Sequence, residues 1–345
     1  MTEQGGSART EAPRPTVRDV ADRAGVSPMT ASRVLQGSSR VTEAKRQMVF
    51  AAAAQLGYRR NELARNLRLG RSTGLVGLVV TNLANPFYSA MALGAEAVAE
   101  EHGLKVVLAN TGEDVQRERR LVDELTLRRI DGMIVVPAGS DHSHLGLENV
   151  GGVPVVLAAT PPSNLAADCV LVDDFGGARQ ATARLVADGR KRIGFVGLPA
   201  ATWTGSERFR GFCVALDEAG LSIDDHYIRR GQRSIEAAEL ACLEVLAMRQ
   251  PPDALFCANS RNTLGAYRAV TATGADVRLA GFDDFELADL LGIPLTLVAY
   301  DPEELGRQAA RLLLSHMDKD SRHAGDPPRR IVVPVTIREY AARPR

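Results

Sequence analysis

The sequence predicts two architectures in one chain: a small all-α unit at the N-terminus and a much larger α/β body of two lobes, each a doubly wound parallel sheet. Three observations predict this. Apolar residues recur at helical spacing in three short stretches between Pro15 and Leu56. Beyond Gly74, short continuous apolar runs alternate with amphipathic stretches, the pattern of parallel strands covered by helices on both faces. Those runs number ten, too many for one compact sheet, so two similar lobes are expected.

In the first stretch Val17, Val20, Ala21 and Ala24 fall at i, i+3, i+4 and i+7, one buried helix face. Gly25 breaks that helix, and Ser27 sits where an N-cap opens the next. On the second helix Ala31, Val34 and Leu35 repeat the apolar spacing, leaving Pro28, Met29, Ser32 and Arg33 outward. Two short amphipathic helices around a glycine turn make a helix-turn-helix, whose second helix lies in a DNA major groove. An αα-hairpin within a larger core is the plainer reading, and the basic segment close behind argues against it. A third helix from Thr42 to Leu56, ended by Gly57, can cover the hairpin with Val49, Ala52, Ala53 and Leu56.

After Tyr58 the run from Arg59 to Arg68 has helical spacing but is too short to stand alone in water. Leu63, Ala64 and Leu67 line one side of it. Such a hinge segment would order only when DNA or a partner chain receives it, with Leu67 able to wedge between base steps of the minor groove. A flexible interdomain linker fits the composition equally well.

Charge follows the same division. The chain carries 42 basic and 42 acidic residues. Residues 1–70 hold 12 Lys and Arg against 6 Asp and Glu, which leaves 30 against 36 in the remainder. A basic end on an acidic body is the footprint of a module that meets phosphates. The expected domains are therefore a disordered polar tail at 1–14, the helix-turn-helix at 15–60, a hinge helix and linker at 61–73, and the body at 74–345.

In the body the expected strands are Leu75–Val80, Leu104–Ala109, Gly132–Val136, Val153–Ala158, Cys169–Val172, Arg192–Gly197, Ala254–Cys257, Val277–Gly281, Leu295–Ala299 and Ile331–Ile337. The intervening helices are Phe87–Glu101, Val115–Leu127, Gly176–Asp188, Ser206–Ala219, Ser234–Met248, Thr263–Ala272 and Pro302–His316. The chain is expected to pass between lobes near Val172–Asp173, near Ala299–Pro302 and before Ile331. This gives an N-lobe of about 74–172 and 301–330, and a C-lobe of about 173–300 and 331–345.

Ligands of open α/β sheets bind where loops leave the carboxyl ends of strands. Those loops carry Thr81 to Tyr88, then Trp203, Ser206, Arg208 and Arg210, then Asn259 to Asn262, and Asp283-Asp284. Gathered in a cleft they would offer aromatic faces, a guanidinium fork, an amide and a carboxylate, a set suited to a hydroxyl-rich or otherwise polar small molecule. Each has a plainer alternative: Asn85-Pro86 as a turn before a helix, Asp283 as a cap, Trp203 as half-buried packing, and the arginines as solvated, with only one able to point inward. The group persuades because four members all follow strand ends.

Other classes are disfavoured. Cys169, Cys213, Cys242 and Cys257 are scattered without a C-x-x-C, against a zinc site or disulfide framework and consistent with a reducing cytosol. His142 and His144 lie together in a polar loop, where a solvated stretch is favoured over a metal site. The body has no G-x-G-x-x-G, no G-x-x-x-x-G-K-[ST] and no G-x-S-x-G, so no catalytic residue, cofactor or metal is expected and an enzyme reading is set aside. A transport solute-binding protein would share the two lobes but needs a secretory signal, and Met1 to Arg14 has no apolar run. No window reaches a membrane-spanning length, so a soluble cytoplasmic protein is expected.

Taken together, the chain resembles the LacI/GalR family of bacterial transcription regulators, the lactose-repressor-like proteins. The resemblance is carried by Thr16-Val17-Arg18-Asp19-Val20-Ala21, Ala24-Gly25-Val26-Ser27, Thr30-Ala31-Ser32-Arg33-Val34-Leu35, Leu56-Gly57-Tyr58 and Leu63-Ala64-Arg65-Asn66-Leu67-Arg68. Downstream it continues in Asn85-Pro86-Phe87, Asp131-Gly132, Arg208-Phe209-Arg210-Gly211-Phe212 and Gly281-Phe282-Asp283-Asp284, so it spans Thr16 to Tyr340.

The resemblance implies a periplasmic-binding-protein-like body, no catalysis, and a homodimeric repressor on a pseudo-palindromic DNA operator. It further implies Pro28, Met29 and Arg33 as base readers, with Arg33 able to take guanine bidentately. Thr16, Ser27, Thr30, Ser32 and Tyr58 would rest on phosphates. Leu67 would be the minor-groove wedge, with Leu63 and Ala64 beside it. The effector pocket would include Asn85, Phe87, Arg208, Asn259 and Asp283, joined by Trp203 from the strand-end argument. The effector is expected to be a sugar or sugar derivative, although a nucleoside or purine would stack equally well on Trp203 and Phe87.

Two departures stand out. Asn259-Ser260 replaces the family's usual Asn-Asp, and Ala158-Ala159-Thr160-Pro161 stands where many members carry an Asp-Arg-like pair. No leucine heptads follow Ile337, so a coiled-coil tetramer is not expected.

Overall fold

The computed structural model describes residues 15–35, 37, 41–58, 72–317 and 327–342. The chain divides into two compact units, Met1–Thr73 and Gly74–Arg345. The tail at 1–14 and the hinge residues Leu63, Ala64 and Leu67 lie outside the described residues.

In the first unit, α1 (Val17–Ala24), α2 (Pro28–Leu35) and α3 (Glu43–Gln55) pack around one apolar centre. A capping box starts α1: the Thr16 hydroxyl accepts from the Asp19 amide while the Asp19 carboxylate accepts from the Thr16 amide at 2.6 Å. Gly25 ends it with φ 64°, a left-handed conformation that strains glycine little and turns the chain sharply into α2. Ser27 Oγ then accepts from the Thr30 amide, and Pro28 supplies a first helical residue whose missing N–H is not needed. The centre is Val20, Ala21, Ala24, Ala31, Val34, Val49, Ala52 and Ala53, small side chains that let three short helices approach closely.

The second unit contains two six-stranded sheets. In chain order the elements are β1 (Leu75–Val80), α4 (Pro86–Glu101), β2 (Lys105–Asn110), α5 (Val115–Leu127), β3 (Gly132–Val135), β4 (Val155–Ala158) and β5 (Asp168–Val172). After the first crossing come α6 (Asp174–Ala187), β6 (Ile193–Gly197), α7 (Trp203–Glu218), β7 (Ile228–Arg230), α8 (Ile235–Leu246) and β8 (Ala254–Cys257). Next are α9 (Ser260–Thr273), β9 (Arg278–Phe282), β10 (Leu295–Ala299), α10 (Pro302–Met317), β11 (Arg330–Val333) and β12 (Thr336–Tyr340). The first sheet runs β11-β5-β4-β3-β1-β2, all parallel, and the second β12-β10-β9-β8-β6-β7.

Two features correct the sequence expectation. The run Ile331–Ile337 is two strands in different sheets. Arg330–Val333 pairs in parallel with β5, while Thr336–Tyr340 pairs antiparallel with β10, Val298 facing Ile337. The third crossing therefore follows Val333 rather than preceding Ile331, and the second sheet is parallel except for β12. Pro334, which has no N–H to give a ladder, sits between the two strands and breaks the run. The other correction is β7, a three-residue strand at the sheet edge whose side chains are only half buried; it has no apolar run to betray it.

Helices α4 and α10 touch backbone to backbone. A Cβ at Gly94 would collide with the Glu303 carbonyl, and one at Gly306 with the Met91 carbonyl. In the second lobe, Phe195, Phe209, Phe212 and Phe256 stack or tilt against one another with centroids 5.0–6.2 Å apart. These layers fix the strand ends on which the cleft is built.

Candidate ligand cleft and nucleic-acid face

On the first unit, Ser27, Pro28, Met29 and Arg33 stand exposed on and before α2, Met29 with 65% of its surface open. Met29 thus leaves a large apolar side chain in water on the same helix as the exposed Arg33 guanidinium. Thr30 and Ser32 are half buried, the Thr30 hydroxyl sharing a hydrogen bond with Ser27 Oγ at 2.9 Å. Thr16 is engaged in its capping box, so its hydroxyl has a structural task whatever else it meets. Tyr58 is half buried against the helical core.

In the second unit two adjoining cavities, of about 310 and 70 Å³, open where the strands end. Asn85, Phe87, Arg208, Asn259 and Asp283 line the smaller one, and Trp203, Asn85 and Asn259 the larger, so all six sequence-derived cleft residues meet here. The plain readings of Asn85 and Asn259 also hold, because both cap helices. Asn85 Oδ1 accepts from the Phe87 amide at 3.1 Å, and Asn259 Oδ1 from the Asn262 amide at 2.8 Å. The Asn259 Nδ2 donor is left without a partner among the described residues.

Arg208 forms the floor. Its Nε donates to Asp174 Oδ1 at 2.7 Å, one terminal nitrogen donates to the Ala258 carbonyl at 2.6 Å, and the same nitrogen lies 3.3 Å from Asp283 Oδ1. The guanidinium plane also lies over the Phe282 ring, 3.6 Å from its centroid. Only its second terminal nitrogen has no partner among the described residues. Burial by itself would weaken the Arg208 charge; the Asp283 and Asp174 carboxylates outweigh it and hold the guanidinium firmly protonated.

Asp283 has φ 66°, a left-handed conformation for a residue with a side chain. Its carboxylate is fixed by Arg208 and by the Tyr300 hydroxyl, which donates at 2.9 Å, and these contacts hold the strained backbone. Asp283 is thus an ion-pair partner, not a helix cap. Its neighbour Asp284 turns the other way, accepting from Arg338 and from the Tyr340 hydroxyl, both at 2.7 Å, on β12. The two arginines of α7 divide similarly: Arg210 stays exposed, paired with Glu207 and stacked on Phe175.

Sequence reasoning missed Asp174 and Tyr300, and reached Tyr88 only as part of its strand-end loop. Asp174 is 3% exposed, and its Oδ2 has no hydrogen-bond partner among the described residues. Burial pushes its carboxyl up to about 6, against the pull of the adjacent Arg208. Tyr300 and Tyr88 are likewise raised, chiefly by burial, and Tyr88 accepts from the Thr81 hydroxyl at 2.6 Å. The signal available for Asp174 and Tyr300 was position alone: each follows a strand end at a lobe crossing.

The expectation for His142 and His144 is overturned. His142 is 1% exposed; its ring joins the Gly139 carbonyl at 3.0 Å and the Ser163 amide at 3.1 Å. His144 meets the fully buried Glu118 at 3.0 Å, and Glu118 accepts from the Ala138 amide at 2.6 Å. Both rings tie down the loop 136–140 that walls the cleft, because backbone groups turned inward at that loop need buried partners. Among the described residues no group of His, Cys, Asp and Glu is placed to hold a metal ion, and no helix is long and apolar enough to cross a membrane.

Known proteins align with both units. A model of bacterial regulatory proteins of the lacI family matches residues 16–61, and one of periplasmic binding proteins and the sugar binding domain of the LacI family matches 73–342. The HTH-type transcriptional repressor CytR of Escherichia coli is 31% identical over 94% of this chain and 95% of its own. A cellobiose complex of the transcriptional regulator CelR is 31% identical, covers 94% of this chain and 98% of its own, and superposes with a TM-score of 0.69. The Lac repressor dimer bound to operator and the anti-inducer ONPF is 26% identical, covers 94% and 97%, and superposes at 0.79. These relatives are transcriptional regulators, not enzymes.

Proposed function

We propose, from the premise that this chain belongs to the LacI family of bacterial regulatory proteins, that it is a ligand-responsive repressor acting as a homodimer on a pseudo-palindromic operator. One α2 helix enters each half-site. Arg33 reads a base edge, worth about 1–3 kcal/mol of discrimination, while Pro28 and Met29 offer apolar contact. Thr16, Ser27, Thr30, Ser32 and Tyr58 position the unit on phosphates, and Leu63, Ala64 and Leu67 act in the minor groove. A sugar or sugar derivative binds between the lobes on Asn85, Phe87, Trp203, Arg208, Asn259 and Asp283.

The observation that carries this reading is the floor of the cleft. Asp174 Oδ2 is an enclosed acceptor without a donor, beside open donors on Arg208 and Asn259. A hydroxyl group, which both donates and accepts, satisfies such a pair at once. Ligand bound between two lobes favours one degree of closure, and DNA affinity follows by a coupling of about 1–3 kcal/mol. The cellobiose complex of CelR and the operator-bound Lac repressor dimer support the same assignment.

The test is a titration of the protein against fragments of its own promoter, with and without a sugar library. Saturable, salt-sensitive binding to one palindromic site, changed by one compound, is the expected result. Binding no tighter than to random DNA at every ligand condition would overturn it.

A further inference from the structure

The floor and the mouth of the cleft carry opposite charge. At the floor one guanidinium, Arg208, faces two carboxylates, Asp174 and Asp283. At the mouth two guanidiniums, Arg233 and Arg261, face a single carboxylate, Glu113. Glu113 follows β2 in the first lobe and Arg233 follows β7 in the second, so their ion pair spans the opening.

Arg261 has no carboxylate within ion-pair distance among the described residues, and the carboxylate that feels its charge, Glu236 at the start of α8, is shared with Arg268. It donates to the Ala84 carbonyl at 3.1 Å and, more weakly, to the Arg233 carbonyl at 3.4 Å. A guanidinium has five N–H donors, so most of Arg261 is unused. Of the helices that begin around this mouth, α4, α7 and α9 carry no acidic residue in the first turn, whereas α5, just after Glu113, and α8, just after Arg233, carry Glu118 and Glu236. The partial positive ends of α4, α7 and α9 are therefore uncompensated. Asn259, at the junction of the two cavities and 7% exposed, adds the unpartnered Nδ2 donor.

We infer that the mouth is an anion subsite, and that the effector is an anionic carbohydrate: hydroxyls on the Arg208 floor, and a phosphate or carboxylate on Arg233 and Arg261 in place of Glu113. This rests on the effector cleft proposed above and narrows its ligand class. Glu113 serves as the resident counterion. It holds Arg233 across the lobes until a ligand anion takes its place, so ligand charge and lobe contact are exchanged in one step.

Trp203 is the single tryptophan of the chain and lines this cavity, so its emission reports binding directly. Wild type, R261Q and E113Q are titrated with a neutral hexose, its 6-phosphate, its uronic acid and inorganic phosphate. The 6-phosphate or the uronate is expected to bind more tightly than the neutral sugar, and comparing the two distinguishes phosphate from carboxylate. R261Q should weaken the anions by about tenfold, the loss of one charge-assisted contact in a half-open site. E113Q should tighten them, a gain that mere structural damage would not produce.

The inference is overturned if the neutral sugar binds as tightly as either anion, if no anion at millimolar concentration changes the emission, or if E113Q fails to tighten binding. Operator affinity, measured separately on the wild type, decides the repressor reading independently of this result.

Discussion

Arg208 reaches from α7 to Asp174 at the start of α6, Nε to Oδ1 at 2.7 Å, with both side chains almost wholly out of water. The pair joins two elements of the second lobe at the point where the chain arrives from the first. Removing Arg208 leaves an enclosed carboxylate without its cation. Arg208→Met should therefore destabilise the second unit by about 3–5 kcal/mol and abolish any ligand response. Urea denaturation checks the first effect, and R208M/D174N should recover much of the loss. A single variant as stable as wild type would show that the pair does not organise the floor.

The same carboxyl predicts a pH dependence. Its folded value, about 6, lies above its ordinary 3.8 because burial disfavours the charge. The folded state therefore holds this proton more tightly than the unfolded chain. Stability from this group is greatest below its unfolded value, falls as pH rises towards about 6 and is flat beyond. The decline should be no more than about 3 kcal/mol. Urea midpoints across the window should show it in wild type and not in Asp174→Asn; equal slopes in the two proteins would refute the assignment.

Gly94 and Gly306 face each other's helices, each opposite a carbonyl of the other. Gly94→Ala drives a methyl group into the Glu303 carbonyl and must push α4 off α10. A loss of about 1–3 kcal/mol or more in the second unit is expected, read as a lower melting temperature. An unchanged melting temperature would mean that the two helices slide apart freely.

On the first unit, Arg33 and Thr16 should separate recognition from folding. Arg33→Ala alters an exposed side chain and should cost about 1–3 kcal/mol of operator discrimination without changing stability. Thr16→Ala removes a capping box and should cost about 1 kcal/mol of stability in that unit. Binding isotherms over a salt series, beside thermal melts, distinguish the two. If Arg33→Ala binds operator and random DNA with the wild-type ratio, α2 is not the reading helix.

Much of this was legible in the sequence because it depends on local rules. Apolar spacing alone marks α1 to α3, and the glycine turn at Gly25 and the N-cap Ser27 mark their junction. Continuous apolar runs mark most strands of the body, since a strand buried on both faces admits little else. The exceptions are informative: β7 is too short and too exposed to leave a pattern, and one apolar run hides two strands parted by Pro334.

The cleft was half legible. Chain position at strand ends picked out the loops that hold Thr81 to Tyr88, Trp203 to Arg210, Asn259 to Asn262 and Asp283-Asp284, because parallel sheets present those loops together. The family resemblance narrowed them to Asn85, Phe87, Arg208, Asn259 and Asp283 beside Trp203. Which arginine of α7 turns inward, and which of Asp283 and Asp284 pairs with it, depended on β12 claiming Asp284 and Phe175 claiming Arg210. Asp174 and Tyr300 became visible only when the second lobe folded around Arg208. Hydrophobic periodicity is written along the chain, so the sequence by itself determined the elements and their order. Charge pairing is settled between residues distant in sequence, as where Arg208 meets Asp174 from α6 and Asp283 from the end of β9. Only tertiary packing brings those groups together and removes the water that would otherwise weaken their choice of partner.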